Sequence, residues 1–225
     1  MAAAVYDTSM EASRVHIVFY SIYHSSNCYL GSILAARALR DLPVTIERRP
    51  LYIPRERGLL VADLVGGRES EARASYNRED CKRWASKYGI ELNMISPETF
   101  AARAEKWKRS PLAREELAAR VYYSAVGSGK EADIDRAFFR CSYVDGLDVN
   151  DEAVVRSVLL NCGLDPDVTM KGALSAETKA TLDESLAAFL RDRGPGLPTW
   201  IVAGERFWGK DRADWLAERV RQLCG

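Results

Sequence analysis

Gly196-Leu197-Pro198-Thr199-Trp200, followed by Phe207-Trp208-Gly209-Lys210-Asp211-Arg212, is the part of this chain whose reading decides the fold. A proline, a threonine and a short apolar run lead into the turn Ala203-Gly204-Glu205 and a second apolar run. This pattern reads as a β-hairpin entered through an X-Pro bond. A cis X-Pro bond is uncommon and must be held by its surroundings. The tail alone also fits an ordinary edge hairpin, and the N-terminal residues weigh against that reading.

At the other end, Arg14 to Tyr20 is a nearly unbroken apolar run with β-branched and aromatic residues. It suits a central strand covered on both faces. A polar stretch, Ser21 to Asn27, precedes Cys28 to Leu39, whose apolar residues recur at helical spacing. Ser25, Ser26 and Asn27 are all good caps for that helix. Pro43 to Tyr52 returns to strand composition, completing a β-α-β unit. From about Ser70 to Arg193 strand signals vanish, and helical patterns follow at Glu71–Tyr88, Pro97–Arg109, Pro111–Ala125, Lys130–Phe139, Asp151–Asn161 and Ser175–Arg191. An amphipathic helix, Asp211 to Leu223, closes the chain, with Asp211 as its expected cap. The simplest assembly is an α/β domain built from residues 1–60 and 195–225, with an all-helical insertion over 61–194.

Composition narrows the function. Lys+Arg and Asp+Glu both number 32, so no net field recruits nucleic acid or an anionic membrane. No segment approaches the roughly 18 consecutive apolar residues of a membrane span. Met1 to Arg14 lacks the basic and apolar regions of a secretory signal. The five cysteines are scattered and odd in number, with no C-x-x-C pair, which points to a reducing compartment, the cytoplasm. Gly127-Ser128-Gly129-Lys130 resembles a fragment of a phosphate loop, but Ser124 and Glu131 stand where Gly and Ser/Thr are needed.

Ser25-Ser26-Asn27-Cys28 occupies the place where thioredoxin-like redox proteins carry C-x-x-C, after the first strand and at a helix N-terminus. Ser25 stands for the attacking thiol and Cys28 for the resolving one. A lone Cys28 cannot form the intramolecular disulfide, so dithiol exchange loses its physical basis. Free N–H groups and the positive end of the helix still favour an anion there. A Ser hydroxyl can donate to a thiolate that a cofactor supplies.

The first strand, the S-x-x-x-Y-L-G helix start, the G-L-P-T hairpin and the F-W-G-x-D-R tail resemble the 2-hydroxychromene-2-carboxylate isomerase and kappa-class glutathione transferase family. Arg73, Tyr76, Asp80, Arg83-Trp84-Ala85, Tyr88-Gly89-Ile90 and Pro97 resemble that family's middle segment. The resemblance covers residues 14 to 223 and implies a DsbA-like thioredoxin fold with a helical insertion, a cis Leu197–Pro198 bond, glutathione as cofactor and a homodimer. It assigns Ser25 to the glutathione sulfur and the Leu197 backbone, held by Pro198, to the cysteinyl part. Lys210 and Asp211 fall near the γ-glutamyl end, and Arg73 stands where the family often has Lys. His24, Asn27, Cys28, Tyr76 and Trp208 are the candidate substrate-lining residues.

One departure is local. The family's S-P-[Y/F] start is replaced by Ser25-Ser26-Asn27, with His24 ahead of it. The missing aromatic bears on the substrate more than on the fold. His24 reads as an exposed loop histidine, with a general base or substrate contact as the sharper alternative, and His16 as a hydrogen-bonded structural one. All five tryptophans read as core, Trp208 being the one nearest the site.

The implied activity is a glutathione-dependent isomerisation of an electron-poor unsaturated small molecule by reversible thiolate addition. A kappa-like glutathione transferase would stop after addition. A thiol oxidoreductase or peroxidase using Cys28, and a non-catalytic binding module, are the readings from other classes.

Overall fold

The computed structural model describes residues 14–66 and 70–225; the expectation of no secretory signal at the N-terminus falls almost wholly outside them. Strand β1 (Val15–Ser21), helix α1 (Ser26–Ala38) and strand β2 (Val44–Pro50) form the first unit. β1 and β2 run parallel, from Val15 opposite Val44 to Ser21 opposite Pro50. Parallel neighbours need a crossover, and α1 supplies it.

Between β2 and the next strand lie α2 (Val61–Leu64), α3 (Glu71–Tyr88), α4 (Pro97–Arg109), α5 (Glu116–Ser124), α6 (Glu131–Tyr143), α7 (Glu152–Asn161), α8 (Pro166–Ala173) and α9 (Ala176–Arg191). Strands β3 (Thr199–Val202) and β4 (Glu205–Trp208) then form the hairpin, and α10 (Ala213–Cys224) ends the chain. The sheet order is β2-β1-β3-β4, with β3 antiparallel to β1 and β4 antiparallel to β3. Ala203 and Gly204 join the hairpin with φ of 48° and 79°. Positive φ at both central residues is the type I′ turn whose twist matches the flanking strands.

β1 is covered on both faces, as its composition predicts. On one side Ile17 and Phe19 pack with Trp200, Val202, Leu39, Leu216 and Val220 beneath α1 and α10. Phe19 and Trp200 are cross-strand partners whose rings stack 3.8 Å apart. On the other side Tyr20 enters a second apolar cluster that continues through Tyr23, Leu30, Phe138, Leu159 and Phe189 into the helices.

The helical segment departs from its sequence reading in a few places. α8 was not anticipated, because Pro166 reads as a break; it stands in the first turn of α8 behind the Asp165 cap, where a missing N–H costs nothing. α5 starts at Glu116 and not at Pro111, since Glu115 adopts φ 72°. Asp211 does not cap the last helix. It sits in a 3-10 turn, Lys210–Arg212, and Arg212 occupies the cap position with no side-chain bond. His16 is a surface residue, its side chain 57% exposed and its Nε2 3.0 Å from Glu47 Oε2 on the neighbouring strand. Trp107 and Trp200 are core, whereas Trp208 and Trp215 are exposed. Among the described residues no helix is long and apolar enough to cross a membrane.

Candidate active site at the start of the first helix

α1 opens at Ser25, whose Oγ accepts the Cys28 N–H at 3.3 Å. Ser25 is extended (φ −111°, ψ 114°), which is the conformation a cap needs. Among the described residues the Ser26 and Asn27 N–H groups have no hydrogen-bond partner, as expected of a first turn. Oγ accepts at the helix side, and the Ser25 hydroxyl can still donate; the buried Cys28 thiol is within its reach.

Pro198 comes to this helix start from the hairpin. The Leu197–Pro198 bond is cis. A Cβ on Gly31 would lie 3.0 Å from Pro198 Cγ and 3.4 Å from Lys210 Cα, so this helical glycine admits both segments against α1. Gly209 N–H donates to Pro198 C=O at 3.0 Å, tying the loop to the end of β4. Among the described residues neither the N–H nor the C=O of Leu197 has a partner. A backbone donor and acceptor without partners beside a helix N-terminus can pair with a peptide-like ligand.

The remaining candidates divide. The buried Lys210 ammonium is committed to Asp80 Oδ2 at 2.6 Å and lies 5.6 Å from the centre of the Trp84 ring. Asp211 is exposed and pairs with Arg212 at 2.8 Å. Asn27 donates to Asn77 Oδ1 at 2.8 Å, and the Cys81 thiol lies 3.3 Å from Ser26 Oγ, so α1 and α3 are stapled beside the cap. Trp208 is 45% exposed, and its indole lies over Gly196, where a Cβ would come within 2.7 Å of Nε1. Arg73 and Tyr76 are exposed on α3, with no hydrogen bond or salt bridge to Ser25 or the Pro198 loop among the described residues. Cys28 is fully buried, and burial pushes its thiol up to about 12 against the downward pull of Ser25.

His24 is the main correction. It is not an exposed loop residue: its side chain is 6% exposed, with Nδ1 2.5 Å from Glu115 Oε1 and Nε2 3.3 Å from Asp148 Oδ1. Its own N–H also donates to Glu115 Oε1 at 3.2 Å. Trp107 Nε1–H donates to Asp148 at 2.9 Å, and the Arg114 guanidinium stands 4.5 Å from the Trp107 ring centre. Sequence reasoning missed Glu115 and Asp148. Glu115 reads as part of a solvated helix face, whereas it is fully buried, and nothing local joins it or Asp148 to His24, 91 positions before Glu115.

Comparison with known proteins agrees with this fold. Residues 16–221 match the DSBA-like thioredoxin domain. A 2-hydroxychromene-2-carboxylate isomerase of Sphingobium xenophagum is 26% identical over 202 residues, covering 89% of this chain and 95% of that protein. The solved structure of a 2-hydroxychromene-2-carboxylate isomerase superposes with a TM-score of 0.73 at 20% identity, covering 93% of this chain and 96% of the other. The cytosolic disulfide reductase DsbM of Pseudomonas aeruginosa, solved with GSH, superposes with a TM-score of 0.62 at 14% identity, covering 93% and 99%.

Proposed function

The chain belongs to the DsbA-like thioredoxin family, and from that premise we propose that it is a glutathione-dependent isomerase of electron-poor unsaturated small molecules. The observation that carries the reading is the exchange of roles at the start of α1. A serine stands where redox relatives place the attacking thiol, and the two cysteines nearby, Cys28 and Cys81, are both buried with their thiols raised by burial. The likeness to isomerases over most of both chains supports the reaction class. The relative solved with GSH supports the cofactor.

The residues fit the tripeptide. The Leu197 N–H and C=O, beside Pro198, would pair with its cysteinyl backbone, and the Ser25 hydroxyl and the α1 N–H groups would face its sulfur. Bound glutathione would supply a thiolate that adds reversibly to an unsaturated carbon, allows rotation about the bond made single, and leaves unchanged. Ser25 lowers the cost of that charge by donating to it, and the positive end of α1 adds roughly 0.3–1 kcal/mol. Asp211, exposed beside Arg212, would accept from the ligand's ammonium group, and Lys210, paired with Asp80, would shape the same end. Arg73 on α3 is the remaining ligand contact in this proposal. Trp208 and Tyr76, both exposed, are the apolar surfaces for the substrate, with the Asn27 amide as a polar edge. His24 and Cys28 are buried and offer no surface to a substrate.

A kappa-like transferase would use the same site, and net consumption of glutathione distinguishes it. The Cys28 oxidoreductase reading is disfavoured by the burial of that thiol. The family resemblance also implies a cytoplasmic homodimer, which sedimentation of the purified chain checks for its oligomeric part. The deciding experiment is calorimetric titration of glutathione into the reduced protein across a range of pH. Binding coupled to proton release below the ordinary thiol pKa of about 8.5 supports the reading, and absence of binding overturns it.

A further inference from the structure

We propose that His24 is a positioning residue, clamped between Glu115 and Asp148, which locks the loop presenting Ser25 to the helical segment. Only its glutathione arm rests on the functional reading above.

The geometry is a closed network. Glu115 Oε1 receives both the His24 backbone N–H and the ring Nδ1, so one carboxylate oxygen fixes the residue immediately before Ser25 at two points. Asp148 faces the other ring nitrogen, and its carboxylate also receives Trp107 Nε1–H, the Asn150 backbone N–H at 3.0 Å and the Asn150 side chain at 2.9 Å. Asn150 Oδ1 in turn accepts the Glu115 N–H at 2.7 Å, which closes the ring of contacts. Glu115 hydrogen-bonds Nδ1, and the Asp148 carboxylate stands 3.3 Å from Nε2 without hydrogen-bond geometry, so the charge of two carboxylates favours an imidazolium at His24.

Charge balances within the cluster. His24 and Arg114 are its cations, Glu115 and Asp148 its anions, and Arg114 Nε is 3.4 Å from Glu115 Oε1. Cys28 and Tyr143, the other titratable groups close enough for Glu115 to act on them, are raised by burial first and by that charge second, and stay neutral. Burial pulls the imidazole down, and Glu115 and Asp148 override it, holding His24 above the usual 6.5.

The backbone points the same way. Glu115 is fully buried in the left-handed region at φ 72°, a conformation that costs an ordinary residue roughly 1–2 kcal/mol. Its neighbours hold it there and aim its carboxylate at His24. From His24 the chain runs directly into the Ser25 cap, whose N–H returns to Ile22 C=O at 3.3 Å.

Nuclear magnetic resonance of the full-length, reduced, nitrogen-15-labelled protein tests the proposal. The chain has two histidines, so His16 on the surface serves as an internal control. At about pH 8, where an ordinary histidine is neutral, His24 is expected to keep both ring nitrogens protonated; a bare nitrogen overturns the proposal. In Glu115→Gln and Asp148→Asn, hydrogen exchange of the Cys28 amide, which Ser25 Oγ covers, should rise about tenfold while the Phe19 amide is unchanged. Unchanged Cys28 exchange, or equal acceleration at Phe19, overturns it, and Glu115→Asp should restore part of the protection. Glutathione affinity should fall about tenfold in the two neutral variants with Ser25 intact. If the parent protein binds no glutathione, the functional reading fails, and the imidazole and exchange results still decide the role of His24. Should Glu115→Gln not fold, Asp148→Asn and the unsubstituted protein carry the test.

Discussion

Gly31 and Pro198 are in direct opposition: a methyl group on the helix would sit 3.0 Å from the proline ring. Lys210 Cα closes the same space at 3.4 Å. Gly31→Ala should push the Pro198 loop outward by a few tenths of an ångström, and Gly31→Val by more. The expected cost is about 1–3 kcal/mol of stability in the larger case, against a small gain in helix propensity from Ala. Urea unfolding combined with glutathione titration checks this; affinity should fall further than stability in Gly31→Ala.

Ser25 has two jobs that substitutions separate. Ser25→Ala loses the cap, worth about 0.5–2 kcal/mol, together with the donor. Ser25→Asp keeps a cap but places a negative charge where the thiolate would sit. On the proposed reading both abolish proton release on glutathione binding, and Ser25→Asp does so with stability intact. Cys28→Ser leaves that release unchanged. Calorimetry at two pH values measures all three.

The Lys210–Asp80 pair joins the last turn to α3, with the two side chains only 9% and 22% exposed. Lys210→Met leaves the Asp80 carboxylate without its partner and should cost about 2–4 kcal/mol, less than a fully buried pair because Asp80 retains some solvent. Asp80→Asn in the same background should recover part of that loss. A double-mutant cycle in urea gives the coupling.

Stability should respond to pH on both sides of neutrality. His24, raised above 6.5 in the fold, contributes stability that is present below that value and lost as pH rises through its folded pKa. Asp148 behaves oppositely. Burial would raise it, but His24 and Asn150 hold it well below the usual carboxylate range, so its contribution is present above about 3.9 and lost as pH falls. Between them Asp135, pushed up to about 6 by burial despite Arg48, loses stability as pH rises from about 4 to about 6. Thermal unfolding should therefore show Tm declining across that interval. Asp135→Asn should flatten this slope and leave the alkaline decline, which Asp148→Asn should shift to lower pH.

Ala203 carries φ 48° in the hairpin turn, next to Gly204 at 79°. Ala203→Asn produces the Asn-Gly pair that type I′ turns favour and should stabilise by about 0.5–1 kcal/mol. An unchanged midpoint in urea would contradict it.

The first strand, its crossover helix and the closing hairpin were legible because their signals are local: a doubly covered apolar run, a polar cap cluster and a turn between two apolar runs. Most helices of the middle were legible through periodicity. The start of α8 was not, since proline reads as a break unless the Asp165 cap before it is weighed. The helix-start serine could be found because position within a β-α unit is a sequence property. The burial of His24 could not, because its partners come from segments joined only by the tertiary fold. The tryptophans taught the reverse: Trp208 and Trp215 have core composition, yet one lies on an edge strand and the other on the outer face of α10.

The sheathing of Cys28 matters for an enzyme that handles electrophiles. A compound reactive enough to be attacked by a borrowed thiolate would also alkylate a reactive protein thiol, and that damage would be permanent. On the proposed reading, with Cys28 at 0% exposure, the nucleophile that would meet the electrophile is carried by a replaceable tripeptide. A dead-end adduct would then diffuse away with it, and the catalyst would survive its own substrate.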